Sequence, residues 1–205
     1  MIVGITGGIG SGKSTVARAL QEHGFAVYDC DREAKRIIAE NEPVRAAITD
    51  LLGKEAFVNG QYNTTYVARR VFAEPQLRQA LNDIVHPSVR EDIRSRYLGT
   101  EGCFIIESAI LFEAGLDHLC DKIIVVEAPE NVRIERVICR DYNGVASPEN
   151  ISKIRARIAS QNSVAPQSCN IITVNNDGLS PLSDIAADII SKLQIVNRKS
   201  SNRKS

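Results

Sequence analysis

The sequence predicts an α/β protein: a five-stranded parallel sheet covered by helices on both faces, interrupted by a helical insertion. Three observations carry this reading. Short apolar runs at residues 2–6, 25–28, 103–106, 123–126 and 171–174 lack the in–out alternation of a sheet with one wet face, so both their faces are expected to be buried. Helical patterns separate these runs, as right-handed crossovers between parallel strands require. Between about residues 32 and 98 the strand signal stops, and apolar residues recur only at helical spacing.

Composition bounds the rest. The chain has 205 residues, 43% of them hydrophobic, 24% charged and 5% aromatic. That apolar share excludes a disordered chain, and no apolar run approaches the roughly 18 residues that span a bilayer. The first residues show no basic segment leading into an apolar stretch, as a secretory leader would. The formal charge is zero, but residues 197–205, NRKSSNRKS, hold four basic residues and no acid. The remainder therefore has an acidic excess of four, which argues against a nucleic-acid binder, and the tail reads as a solvated end. Five widely spaced cysteines form no C-x-x-C pair, so neither a zinc site nor a redox couple is indicated. Cys30, Cys103 and Cys139 are expected to be small buried packing residues, and a reducing cytoplasm fits.

Each element has its own signal. After the first strand a glycine-rich turn leads into a helix from Lys13, with Val16, Ala17 and Leu20 on one side and Gly24 placed to stop it. The second strand runs into Asp29-Cys30-Asp31. The insertion is punctuated by Pro43, Asn59-Gly60, Pro75 and Pro87. The third strand ends at Glu107, and a helix near residues 129–141 follows the fourth. Ser147-Pro148-Glu149 supplies a hydroxyl cap, a proline at the first helical position and an acid at the positive end of the next helix. The fifth strand leads into Asn175-Asn176-Asp177-Gly178, and the last helix is expected near residues 181–193. The divisions expected are a core of residues 1–31 and 99–196 with a lid about 139–165, a helical lobe at 32–98, and a basic disordered tail at 197–205.

Ligands of such sheets lie beyond the carboxyl ends of the strands. There, Gly7-Gly8-Ile9-Gly10-Ser11-Gly12-Lys13-Ser14 fits G-x-x-x-x-G-K-[ST] in full, directly between a buried strand and a helix. Glycines let main-chain N–H groups turn inward on a compact anion without Cβ clashes. The helix adds its positive end, Lys13 is expected at the β- and γ-phosphates, and the Ser14 hydroxyl at a Mg²⁺ ion. A guanine-specific asparagine–lysine–x–aspartate motif is missing, since the late asparagine segment has no lysine, so a GTP switch is excluded. Phosphoryl transfer to a small acceptor fits best.

Asp29 and Asp31 follow the second strand and would point the same way if the strand continued. A carboxylate there can orient an acceptor hydroxyl and take its proton. Asp31 is read as that base and Asp29 as its support, although one of them could simply cap the following helix. Glu107 either reaches the metal through a bridging water or is a solvent-facing strand end. Arg133, Arg136 and Arg140 are spaced three and four apart on one helical face. Arg133 reads as a solvated surface residue and Arg140 as the contact for charge developing on the transferred phosphoryl. His86, before Pro87, is either a structural cap ahead of a helix or a contact for an acceptor phosphate.

The sequence from Gly4 to Thr15, together with Val27-Tyr28-Asp29-Cys30-Asp31, Leu81-Asn82, His86-Pro87 and Ile110-Leu111-Phe112-Glu113, resembles the dephospho-coenzyme A kinases. Arg136, Arg140-Asp141, Gln161 and Asn176-Asp177-Gly178 extend the resemblance, which spans about residues 2–193. It implies a P-loop kinase fold and MgATP-dependent phosphorylation of the 3′-hydroxyl of dephospho-coenzyme A. Implied for ATP are Gly8, Gly10, Ser11, Gly12, Lys13, Ser14, Thr15 and Asn176. Implied for the acceptor are Thr6, Asp29, His86 and Arg136, with Asp31, Lys13 and Arg140 catalytic. Partners would then be ATP and dephospho-coenzyme A, with no nucleic acid or membrane, in a monomer or weak homo-oligomer. The chain departs from the family pattern where Glu107 replaces an aspartate, where Ala109 replaces a proline, and where residues 162–170 lack a lysine. A nucleoside or nucleoside-monophosphate kinase and a non-catalytic nucleotide-binding regulator are the alternatives.

Overall fold

The computed structural model describes residues 1–161 and 170–193. Cys169, the lysine-free segment 162–169 with the end of the expected lid, residues 194–196 and the basic tail lie outside them. The chain divides into two compact units, one of Met1–Val27 with Glu101 onward and one of Tyr28–Thr100.

A five-stranded sheet contains β1 (Ile2–Thr6), β2 (Ala26–Asp29, whose last two residues are counted in the second unit), β5 (Phe104–Glu107), β6 (Lys122–Glu127) and β7 (Ile171–Asn175), in the order β2-β5-β1-β6-β7. β1 is buried throughout and pairs in parallel on both sides, with Ile5 opposite Glu107 on β5 and opposite Ile124 on β6; β6 pairs in parallel with β7. The parallel course brings the carboxyl ends of β1, β5, β6 and β7 to one edge. Beneath them, Val3, Ile5 and Ile124 pack with Val16 and Leu20 of α1 (Lys13–Glu22) and Ile189 of α8 (Leu182–Lys192). Gly24, at φ +89°, stops α1 as expected. Cys103 is buried, and burial pushes its thiol up to about 11. Cys139 is exposed, against expectation, because it falls outside the apolar stripe of Ile134, Val137 and Ile138 on α6 (Glu130–Asp141). That stripe packs on Ile154 of α7 (Pro148–Ala159), where Ser147 caps the helix by accepting from the Asn150 N–H at 3.1 Å.

The second unit contains α2 (Cys30–Glu40), α3 (Glu42–Leu52), α4 (Thr64–Ala73) and α5 (Pro75–Leu98). Asn41 and Asn63 cap α3 and α4, accepting from the N–H groups of Val44 and Tyr66. Two features correct the reading of this stretch. It holds a short antiparallel hairpin, β3 (Phe57–Val58) and β4 (Gln61–Tyr62), turned by Asn59 and Gly60, both at positive φ. And Pro87 neither starts nor stops a helix: α5 runs through it. A proline removes one N–H bond and crowds the preceding turn. Val85 before it and Val89 and Ile93 after it are buried, so packing on both sides keeps the helix continuous.

Between α2 and α5 lies a charge cluster. Glu33, only 4% exposed, accepts from Arg32 (3.1 Å), Arg36 (2.7 Å) and Arg96 (2.6 Å). Asp92 accepts from the buried Tyr28 hydroxyl (2.7 Å) and from Arg36 (2.9 Å). Burial acts to raise the Glu33 pKa, but the hydrogen bonds from Arg36 and Arg32, with the Arg96 charge, prevail and hold it below the ordinary 4.5. A carboxylate with a depressed folded-state pKa stabilises the fold above its unfolded pKa and loses that contribution as pH falls. Glu33→Gln should therefore cost about 1–3 kcal/mol near neutral pH, with the difference from wild type shrinking below about pH 4. Denaturant melts across pH measure it; a cost independent of pH would contradict the assigned charge pairing.

Candidate active site

β1 feeds the chain into a tight loop at its carboxyl end. Gly10 (φ +78°) and Gly12 (φ +87°) take left-handed conformations that a side chain would strain. Gly12 is also the N-cap of α1; it offers no side-chain cap, and the first turn of α1 carries no acid. The helix end thus keeps its positive dipole available to an anion.

One acid, one base and a hydroxyl meet just inside. Glu107, which the register places opposite Ile5, is 7% exposed; its Oε1 accepts from the Ser14 hydroxyl at 3.2 Å and lies 3.8 Å from Lys13 Nζ. The reading of Glu107 as a solvent-facing strand end is overturned: β5 is covered along its whole length. Ser14 and Glu107 present hard oxygen donors side by side, the set that suits Mg²⁺ bound mainly through a nucleotide's phosphates. Among the described residues no group of three acidic, histidine or cysteine side chains forms a metal cage.

α6 borders the loop with three arginines. Arg136 donates to the carbonyls of Ser11 (3.1 Å) and Asn176 (3.0 Å) and to Asn176 Oδ1 (3.3 Å). Asn176, 4% exposed, returns a bond from Nδ2 to the Ser11 carbonyl at 2.9 Å. Through these bonds Arg136, expected at the acceptor, joins the loop to the segment after β7. Arg133 corrects the expectation of a solvated residue: its Nε donates to the Ile9 carbonyl at 2.8 Å. Burial there lowers its pKa, partly opposed by Glu130. Arg140 is exposed and bonded to Asp141 at 2.7 Å, which also accepts from Arg157 of α7. These bonds hold the Asp141 carboxyl at about 2.

A cavity of about 530 Å³ is walled by Gly10, Gly12, Lys13, Ser14 and Thr15, by Arg136 and Arg140, and by Asn176. A second, of about 190 Å³, is lined by Thr6, Gly8, Ser11, Phe112 and Arg133. The loop residues, Asn176, Arg136 and Arg140 are therefore brought together around one turn of chain, with Thr6 at its start.

Asp29, Asp31 and His86 belong to the second unit. β2 ends at Asp29 and α2 begins at Cys30, so strand alternation does not reach Asp31. Asp29 is the N-cap, its Oδ1 accepting from the Arg32 N–H at 2.9 Å, and Asp31 is an exposed acid in the first turn. His86 is half-buried within α5, not ahead of a helix; burial and then Arg90 push its pKa down, favouring neutral imidazole. Sequence reasoning gave no role to Gln161, whose Oε1 accepts from the Ile9 N–H at 2.6 Å. No local pattern marks a partner 152 positions away.

With this geometry in view, the comparisons with known proteins are direct. The dephospho-CoA kinase family model matches residues 1–180. A dephospho-CoA kinase of Bacteroides fragilis is 39% identical over 184 residues, covering 88% of this chain and 86% of that one. A crystal structure of a Thermus thermophilus protein superposes with a TM-score of 0.78 at 30% identity, covering 96% of this chain and 98% of that one. The fold is shared also with a dephospho-CoA kinase from Campylobacter jejuni, at a TM-score of 0.64 and 22% identity, with 94% and 96% covered. The chain belongs to the dephospho-CoA kinase family.

Proposed function

We propose that this kinase uses ATP to phosphorylate the ribose 3′-hydroxyl of dephospho-CoA, yielding CoA. The observation that carries the reading is the complete phosphate loop at residues 7–14, opening a helix beside the buried Glu107, in a chain of this family. In this reading residues 1–31 and 99–196 hold the nucleotide, with residues 139–165 as a lid, and the lobe at 32–98 takes the acceptor. The enzyme works in the cytoplasm as a monomer or weak homo-oligomer.

The loop at Gly8 and from Gly10 to Thr15 and the positive end of α1 bind the triphosphate, and Lys13 sets its charge at the β- and γ-phosphates. Asn176 lies by the adenine. Ser14 would hold Mg²⁺ directly and Glu107 through a water, and the ion would supply neutralisation of phosphate charge. Glu107 also keeps the Ser14 hydroxyl and Lys13 in register for this task. Asp31 accepts the proton of the 3′-hydroxyl as its oxygen bonds to the γ-phosphorus. The bond to the β–γ bridging oxygen breaks and ADP leaves. Arg140 neutralises charge on the transferred group. Asp29 supports Asp31 by capping the turn that carries it, and Thr6, His86 and Arg136 complete the acceptor contacts.

An assay offering dephospho-CoA, adenosine and nucleoside monophosphates side by side tests the reading: turnover is expected with dephospho-CoA, and preference for either other acceptor would transfer the chain to another kinase activity. Lys13→Ala should lower turnover at least about a hundredfold with an unchanged melting temperature; undiminished turnover would reject the phosphate-loop role. Asp31→Asn should lower kcat by about a hundredfold or more with ATP affinity nearly intact. A larger loss in Asp29→Asn would reverse the choice of base.

A further inference from the structure

We infer that Arg133 and Gln161 are positioning residues for the phosphate loop, gripping Ile9 from the two ends of the α6–α7 arm. The Ile9 N–H donates to Gln161 Oε1 at 2.6 Å, and the Ile9 carbonyl accepts from Arg133 Nε at 2.8 Å. Arg133 lies in the first turns of α6, and Gln161 follows the end of α7, so the grip closes across the whole helical pair. The Ile9 side chain makes a third attachment, packing on the cluster of Ile134, Val137, Ile138 and Ile154 that joins the same two helices. Main chain and side chain of one loop residue are both committed to the arm.

Gly8 supports this independently. Its backbone is not in the left-handed region, so conformation alone does not call for glycine there. A Cβ on Gly8 would collide with the Arg133 guanidinium and stand 3.3 Å from Gln161 Oε1. The absent side chain is the space the two gripping groups occupy. At Gly10 an added Cβ would meet the main chain of Arg133 itself. The loop and the first turns of α6 are thus fitted to each other at backbone distance.

The consequence is mechanical. Arg140 lies two turns along α6 from Arg133 and lines the same cavity as Lys13 and Ser14. Fixing Ile9 to the arm sets the loop amides and Arg140 as one body, so the nucleotide finds them already placed and loses less binding energy to ordering them. Without the grip, nucleotide binding should weaken before the fold does.

This inference rests on the loop binding nucleotide, and calorimetric titration with ADP, using the full chain, separates the two. Wild type should bind ADP. Gln161→Leu and Arg133→Met should each raise the Kd about tenfold, the scale of one lost hydrogen bond. Gln161→Glu, which keeps an acceptor, should restore most of the affinity. The double variant should lose less than the product of the single losses, because both groups hold one residue. In wild type without nucleotide, hydrogen exchange should find the Ile9 amide protected, a readout that needs no variant to fold. A Kd within twofold of wild type for both single variants, Gln161→Glu as weak as Gln161→Leu, or a fast-exchanging Ile9 amide would overturn the grip while leaving the loop's function standing. No ADP binding by wild type would overturn both.

Discussion

The structure depends on one constraint: a loop whose working surface is its own main chain must be held in shape by groups outside it. Amides that point inward at an anion have no partners in a strand or helix, and glycines that permit the turn also loosen it. Here the loop is bracketed at every stage. β1 enters from the centre of a parallel sheet, and α1 leaves packed on that sheet by Val16 and Leu20. Asn176 and Arg136 take the carbonyl of Ser11, and Arg133 and Gln161 take the two polar groups of Ile9. Outward-facing carbonyls and one outward N–H are thus paired with side chains of the surrounding elements.

The charge arrangement follows the same logic. Glu107 contacts both Lys13 and the Ser14 hydroxyl, the groups proposed for phosphate and metal. In the second unit, the first turn of α2 carries Asp31 between a capping Asp29 and a Glu33 locked by three arginines. The helix that presents the proposed base is therefore fixed by its cap and by its buried charge cluster. Tyr28, at the end of β2, joins that cluster through Asp92, so strand end and helix start share one set of bonds.

What could be read in the sequence was what repeats with a period or sits within a few residues. The five strands, the Gly24 stop, the Ser147 cap and the phosphate loop all declare themselves locally, although only β1 and β5 are buried along their whole length and the edge strands β2 and β7 are not. The hairpin did not, although Asn59-Gly60 is its turn signal, because strands of two residues leave no alternation to see. Pro87 misled because packing of Val85, Val89 and Ile93 overrides a breaker that acts only on its own turn. Asp29 and Asp31 were separated because the strand ends at Asp29 and a helix begins at Cys30, two residues short of the continuation that alternation needed. Arg133 and Gln161 were illegible in kind: their significance lies in contacts with Ile9, 124 and 152 positions away. Arg133 looked like one charge in a helical stripe until the loop's backbone was set against it.

The central claim is that the main chain of residues 10–15 is the nucleotide's anion site, and a crystal of the protein grown with a non-hydrolysable ATP analogue tests it most directly. β-Phosphate oxygens should lie about 3 Å from several of those amide nitrogens, with Lys13 Nζ turned from Glu107 towards the phosphates. Full occupancy of the analogue at any other place, with the loop amides facing only solvent, would contradict it.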